Sequence, residues 1–146
     1  MNSFGMVLLC SLPLLAASAR AQTLSIEPGQ WKVTAKTVIN GGTQPPKATM
    51  SCLSPEQAGD VTKTLGPSMG TVNSTCSPAE FQIKVGEMKW RLQCKGQIDI
   101  DLLGDYTFDS MSHYTATVLS KGWMAGALMS DVTTELEGQR VGACPQ

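Results

Sequence analysis

The segment FQIKVGEMKWRLQCK, residues 81–95, alternates apolar and polar side chains through two runs split by a glycine. Successive side chains of an extended chain point to opposite faces, so each run has one apolar face. Phe81, Ile83 and Val85 form that face in the first run. Met88, Trp90, Leu92 and Cys94 form it in the second. Gln82 and Lys84, then Lys89, Arg91, Gln93 and Lys95, take the other side. Gly86-Glu87 predicts a two-residue hairpin turn with glycine first, which pairs Val85 with Met88. An isolated hairpin is marginal in water, so this one must join further strands and cover its apolar face.

Further strands are available. WKVTAKTVI, from Trp31, has period two, with Trp31, Val33 and Ala35 on one side. NGGTQPP reads as a loop and KATMSCL as a second strand. QIDIDLLGDYTFD places Ile98, Ile100, Leu102, Tyr106 and Phe108 on one parity and Asp99, Asp101, Asp105 and Asp109 on the other. A turn near Asp109 to Ser112 leads into HYTATVLS, and Lys121-Gly122 predicts another before WMAGALMSDVTTEL. One short helix is expected near residues 55–65. Ser54 is placed to cap it, Pro55 suits its first position, Gln57 closes a capping box, and Gly66-Pro67 stops it. The predicted fold is mainly β: an antiparallel meander of about seven strands curling into a half-barrel or barrel, with the helix over part of it. In that fold Trp31, Phe81, Trp90, Tyr106 and Phe108 point inward, either as core or as the lining of a groove for an apolar ligand.

The amino-terminal residues carry a different signal. MVLLCSLPLLAA, Met6 to Ala17, is uncharged and apolar, and SARA follows with small residues at Ala19 and Ala21. This is the layout of a secretory signal peptide with cleavage after Ala21, although the segment MNSFG before it holds no Lys or Arg. The run is short for a bilayer span of about 20 residues. The expected organisation is a signal peptide at 1–21 and a single β-rich domain at 22–146, with no stable membrane insertion after cleavage. Cys10 leaves with the signal. Cys52, Cys76, Cys94 and Cys144 remain, an even number in an exported chain, which reads as two disulfides. Four cysteines allow three connectivities; the hairpin brings Cys76 and Cys94 to one end and so favours 76–94 with 52–144. Cys52 stands next to a helix start, where a thiol can be activated, but the compartment favours the bridged form.

Loss of Arg20 leaves ten basic against twelve acidic side chains, a balance that gives no case for nucleic acid or an anionic membrane as partner. His113 is the lone histidine, so a nucleophile system built on histidine would have to use it; it sits at an expected turn and no motif frames it. The four aspartates of one strand face could ligate Ca²⁺, but Lys84, Lys89, Arg91 and Lys95 are placed to face them across strands. Met50, Met69, Met88, Met111, Met124 and Met129 survive cleavage; Met111 and Met124 with His113 offer soft ligands for copper, whereas Met88 fits the apolar face. No phosphate loop or hydrolase motif occurs.

PGQW before the first strand, CLSPEQA before the helix, CSPAEFQIKVGEMKWRLQC, GDYTFDSMSHYTATV and a terminal GQRVGAC occur in that order, from Pro28 to Cys144. In this the chain resembles the bacterial exported family known as domain of unknown function 3617, whose members carry a Cys-Leu-Thr motif. Here the motif reads Cys52-Leu53-Ser54, which keeps a capping hydroxyl. The resemblance implies a small bacterial periplasmic protein and carries over no activity, cofactor or catalytic residue. The thin catalytic inventory favours a non-enzymatic binding module for a small apolar ligand or a protein partner, with no cofactor. The alternative is a periplasmic copper carrier or an enzyme using His113.

Overall fold

The structure, a computed structural model, describes residues 24–68 and 73–145. The expected signal peptide, its cleavage point and Met69 lie outside the described residues. The chain runs β1 (Gly29–Ile39), β2 (Gly42–Thr43), β3 (Lys47–Leu53), α1 (Pro55–Gly59), α2 (Val61–Leu65), β4 (Ser74–Cys76), β5 (Glu80–Lys84), β6 (Glu87–Gly96), β7 (Ile98–Ser110), β8 (His113–Met124) and β9 (Ala127–Gly142). The strands form one antiparallel sheet in the order β2-β1-β9-β8-β7-β6-β4, with β3 also pairing β1 and β5 also pairing β6. The sheet does not close. Strands β5 to β9 are the expected meander. The first strand then joins the last, and the chain crosses the sheet between β3 and β4 by way of the helices.

Period two sets the inner face. Met88, Trp90, Leu92 and Cys94 on β6, Leu102 and Tyr106 on β7, and Tyr114 and Ala116 on β8 are buried together. Ile26, Trp31, Ala58 and Val61 complete that core, so the segment before β1 and the helices cover this part of the sheet. Ile26 is bonded through its amide to the Ala58 carbonyl at 3.0 Å. The expected helix is two helices. Ser54 caps α1 in a reciprocal box with Gln57, with bonds of 3.2 and 2.9 Å, and Asp60 ends α1 and caps α2. The side-chain hydrogen bond from Thr62, then that from Lys63, holds the Asp60 carboxyl down at about 2.

Two turns differ from expectation. Lys84 pairs with Glu87, so the hairpin turn is Val85-Gly86, two positions from the predicted register; the parity of both strands survives. Val85 leaves the apolar face and is 81% exposed. The turn expected at Lys121-Gly122 does not form. β8 runs on to Met124 and turns at Ala125-Gly126, with φ 50° and 80°. This type of hairpin turn needs positive φ at both central residues, which Gly126 adopts without strain. β9 then continues to Gly142, so the carboxyl-terminal segment belongs to the sheet.

Two disulfides close the structure at both sides. Cys76 and Cys94 are direct cross-strand partners of β4 and β6. Cys52 on β3 joins Cys144, just beyond β9, with Cα atoms 5.6 Å apart. These bridges occupy all four cysteines of the described residues, so Cys52 offers no thiolate.

Candidate functional site

A cavity of about 550 Å³ lies between the helical pair and the β1–β3 side of the sheet. Its size falls in the range of small-molecule sites. Trp31, Val33 and Tyr114 form its floor, Ser51 and Leu53 its β3 wall, and Leu65 with Thr64 its helical wall. Glu56, Gln57, Asp60 and Lys63 supply the polar rim. Each wall follows from local sequence. Alternation turns Trp31 and Val33 inward from β1, and Ser51 opposes Trp31 in the β1–β3 register. The capping box fixes where α1 begins, and the Cys52–Cys144 bridge ties the wall strand to the end of β9.

The floor is aromatic and closely packed. Trp31 is 1% and Tyr114 3% exposed, with ring centroids 5.7 Å apart and planes 30° from parallel. Tyr114 also meets Tyr106 at 5.8 Å and Phe108 at 5.7 Å. Burial raises both tyrosine hydroxyls above their ordinary range, so they stay protonated. The indoles are satisfied: Trp31 Nε1 donates to the Glu27 carbonyl at 3.0 Å and Trp90 Nε1 to the Leu65 carbonyl at 3.1 Å. The second bond also holds the end of α2 against the sheet.

Two glycines make this floor possible. Gly138 pairs with Tyr114 and Gly104 with Trp90 across neighbouring strands. A Cβ at either glycine would run into the facing ring. Each ring therefore lies across the adjacent strand, a close approach that only a missing side chain permits.

Of the five aromatics expected inward, Trp31 lines the cavity, and Trp90 and Tyr106 are buried in the core beside it. Phe108 is half-buried against the same cluster. Phe81 departs from expectation. It keeps the right parity, pairing with buried Trp90, yet is 38% exposed. β5 pairs only with β6, so no further strand covers the ring, whose tip lies against Gly66 after α2. Tyr114 was absent from the expected inward set, although it shares parity with Ala116 and Val118 in HYTATV. Glycines at 104 and 138 on the apolar parity, opposite Trp90 in the core and Tyr114 in the floor, are the signal that marks the aromatic cluster.

The polar candidates lie on the outer face. Lys89 meets Asp105 at 2.6 Å, Arg91 grips Asp101 through two bonds of 2.9 and 2.7 Å, and Lys95 meets Asp99 at 2.9 Å. These aspartates are engaged by cations, as the cross-strand arrangement predicts. His113 opens β8 with its Nδ1 2.9 Å from both oxygens of Asp109 and its Nε2 3.3 Å from Glu137. The Asp109 contact, foremost, raises its pKa. Both ring nitrogens face carboxylates, so neither is directed at a hydroxyl or thiol nucleophile, and neither is directed at the exposed Met111. Among the described residues, no three or more His, Cys, Asp and Glu side chains are grouped to hold a metal ion. A depression of about 520 Å³ on this outer face is lined mainly by Thr34, Lys36, Thr107, Thr115, Glu135 and Glu137. That lining lacks the aromatic surface an apolar ligand needs.

No helix among the described residues is long and apolar enough to cross a membrane. No curated protein and no solved structure matches the chain. The sequence model of one family, described as "Protein of unknown function (DUF3617)", matches residues 26–144, which span the whole sheet and both helices. The chain belongs to that family.

Proposed function

We propose that the protein is a non-enzymatic binding module that holds a small apolar molecule in the cavity between the helices and β1–β3. The observation that carries this reading is a space of about 550 Å³ lined by half-buried Val33, Leu53 and Leu65 beside the packed Trp31 and Tyr114 rings, beneath a polar rim. Apolar walls with a few polar groups at the mouth are the usual build of a small-molecule site. The sheet is stapled by two disulfides, which suits an oxidising compartment such as the periplasm. The carboxylate contacts of His113 and the ion pairs of Asp99, Asp101 and Asp105 support a non-enzymatic reading.

The test is native mass spectrometry of protein purified from the periplasm of a bacterium expressing the full chain. The expected result is an added small-molecule mass that is lost on mild unfolding and absent from a Ser51→Trp variant. Ser51 is exposed at the cavity wall, so an indole there blocks the space and leaves the packed core alone. A wild type that carries no added mass and takes up no apolar probe overturns the reading.

A further inference from the structure

The indoles of Trp31 in the cavity floor and of Trp90 in the core beside it have found partners, and the Tyr114 phenol has not. Tyr114 is 3% exposed, and its hydroxyl makes no hydrogen bond with any described residue. Nor is that oxygen sealed away, since no buried side-chain oxygen or nitrogen among the described residues is without a partner. A tyrosine this buried normally bonds its hydroxyl to the protein or to water. Here the ring crosses β9 over Gly138, with Cδ1, Cε1 and Cζ nearest that glycine. The hydroxyl end is thereby carried toward β1 and the cavity that Tyr114 lines.

We propose that the cavity takes a neutral, mainly apolar molecule bearing one hydrogen-bond acceptor, and that the Tyr114 hydroxyl donates to that acceptor. This rests on the binding-module reading above and adds the chemical class of the ligand. The apolar character follows from the lining, where half-buried Val33, Leu53 and Leu65 stand beside the almost fully buried Trp31 and Tyr114 rings. The acceptor follows from the donor that no protein group uses: a protonated phenol at the cavity is matched by an oxygen or aza nitrogen on the ligand. Neutrality follows from the rim. Lys63 is held by Asp60 at 3.0 Å, and Glu56 adds a second carboxylate to the mouth, so an anion meets more negative than free positive charge. Burying a charged ligand on an aromatic floor would cost more than one hydroxyl returns.

Two probes of nearly equal shape separate the pocket from its anchor: acetylnaphthalene, which carries a carbonyl, and ethylnaphthalene, which does not. Equilibrium dialysis of both is run against the disulfide-bonded wild type, Tyr114→Phe and Ser51→Trp. The wild type is expected to bind acetylnaphthalene about five- to tenfold more tightly, the scale of one hydrogen bond. Tyr114→Phe keeps the ring and should bring that ratio to about one, with ethylnaphthalene unchanged. Ser51→Trp should weaken both probes alike. Equal affinities in the wild type, or a preference that survives in Tyr114→Phe, overturn the anchor and leave the pocket standing. Failure of both probes to bind the wild type overturns the pocket as well.

Discussion

The two ends of the inner sheet face are built on the same strands and packed in different ways. At one end, Trp31, Tyr114, Tyr106, Met88 and Trp90 lie under Ile26 and the helices, all buried. At the other, β1 offers Ala35, Thr37 and Ile39, β9 offers Leu136, Thr134 and Val132, and β8 offers Val118 and Ser120. These side chains share the inward parity but stay half-buried, and Ile39 is 42% exposed. Thr37 and Thr134 bond to each other across the strands at 3.3 Å, as hydroxyls do where no apolar layer covers them. Alternation thus decides which side chains face inward. What covers them decides which become core. The cavity lies at the covered end, where a lid exists to enclose it.

The largest effect should come from unfastening that lid. The Cys52–Cys144 bridge closes a sequence separation of 92 residues and the Cys76–Cys94 bridge one of 18. In the loop-entropy account, removing the first costs about 4–5 kcal/mol and the second about 3 kcal/mol. The paired replacements Cys52→Ser/Cys144→Ser and Cys76→Ser/Cys94→Ser test this by urea denaturation. The first should also weaken probe binding, because β3 is a wall of the cavity. Equal losses in the two variants would mean that the longer crosslink has no special hold on the covered end.

Truncations along the inner face draw the comparison most directly. Trp90→Ala should cost about 3–5 kcal/mol, since it opens the core and removes the indole bond to Leu65. Val132→Ala, on the same face at the open end, should cost about 1 kcal/mol or less. Denaturant midpoints read both. A Val132 loss as large as that of Trp90 would show that the open end is covered in solution.

Gly138→Ala is expected to cost about 1–3 kcal/mol, the range of an overpacked core, because the new methyl meets the Tyr114 ring. Near-ultraviolet circular dichroism should report the ring's displacement, and probe affinity should fall with it. Gly126 has open space around it, so Gly126→Ala probes the turn alone and should leave probe affinity unchanged.

These glycines also show where sequence stops informing. The parity of MKWRLQC and IDLLGDYTF placed Trp90, Leu92, Leu102 and Tyr106 correctly, because a strand's period is a local property. Gly122 was read as a turn, yet it lies buried in β8, and Ala125-Gly126 turns instead. A glycine that leaves room and a glycine that bends the chain look alike in sequence. The cavity was less legible still. Its parts come from β1, β3, α1, α2 and β8, and only the crossing of the helices over the sheet brings them together. Phe81 fails for a related reason: parity gives direction, while its exposure depends on β5 lying at an edge.

The smallest expected effect belongs to the outer face, at His113. Its ring is held between Asp109 from the end of β7 and Glu137 from β9, with Ser112 in the adjoining turn and Gln139 as its strand partner. Asp109 is the main cause of its raised pKa, which stands above the ordinary 6.5. A group with a raised folded-state pKa adds stability that is fully present below the unfolded value and is lost as pH rises through the folded one. The imidazolium clamp should therefore act near pH 6 and fade as pH climbs from about 6.5. His113→Gln keeps a polar side chain and loses the titration. The stability difference between wild type and this variant, measured by urea denaturation, should shrink steadily as pH rises above that value. Because the pair surfaces are exposed, the difference should also diminish in high salt. The Trp90→Ala loss at the covered end should keep its size across the same pH range, since no ionisable group contacts the indole through its hydrogen bond to Leu65. A His113→Gln difference that stays flat with pH would show that the imidazole is not clamped between the two carboxylates in solution.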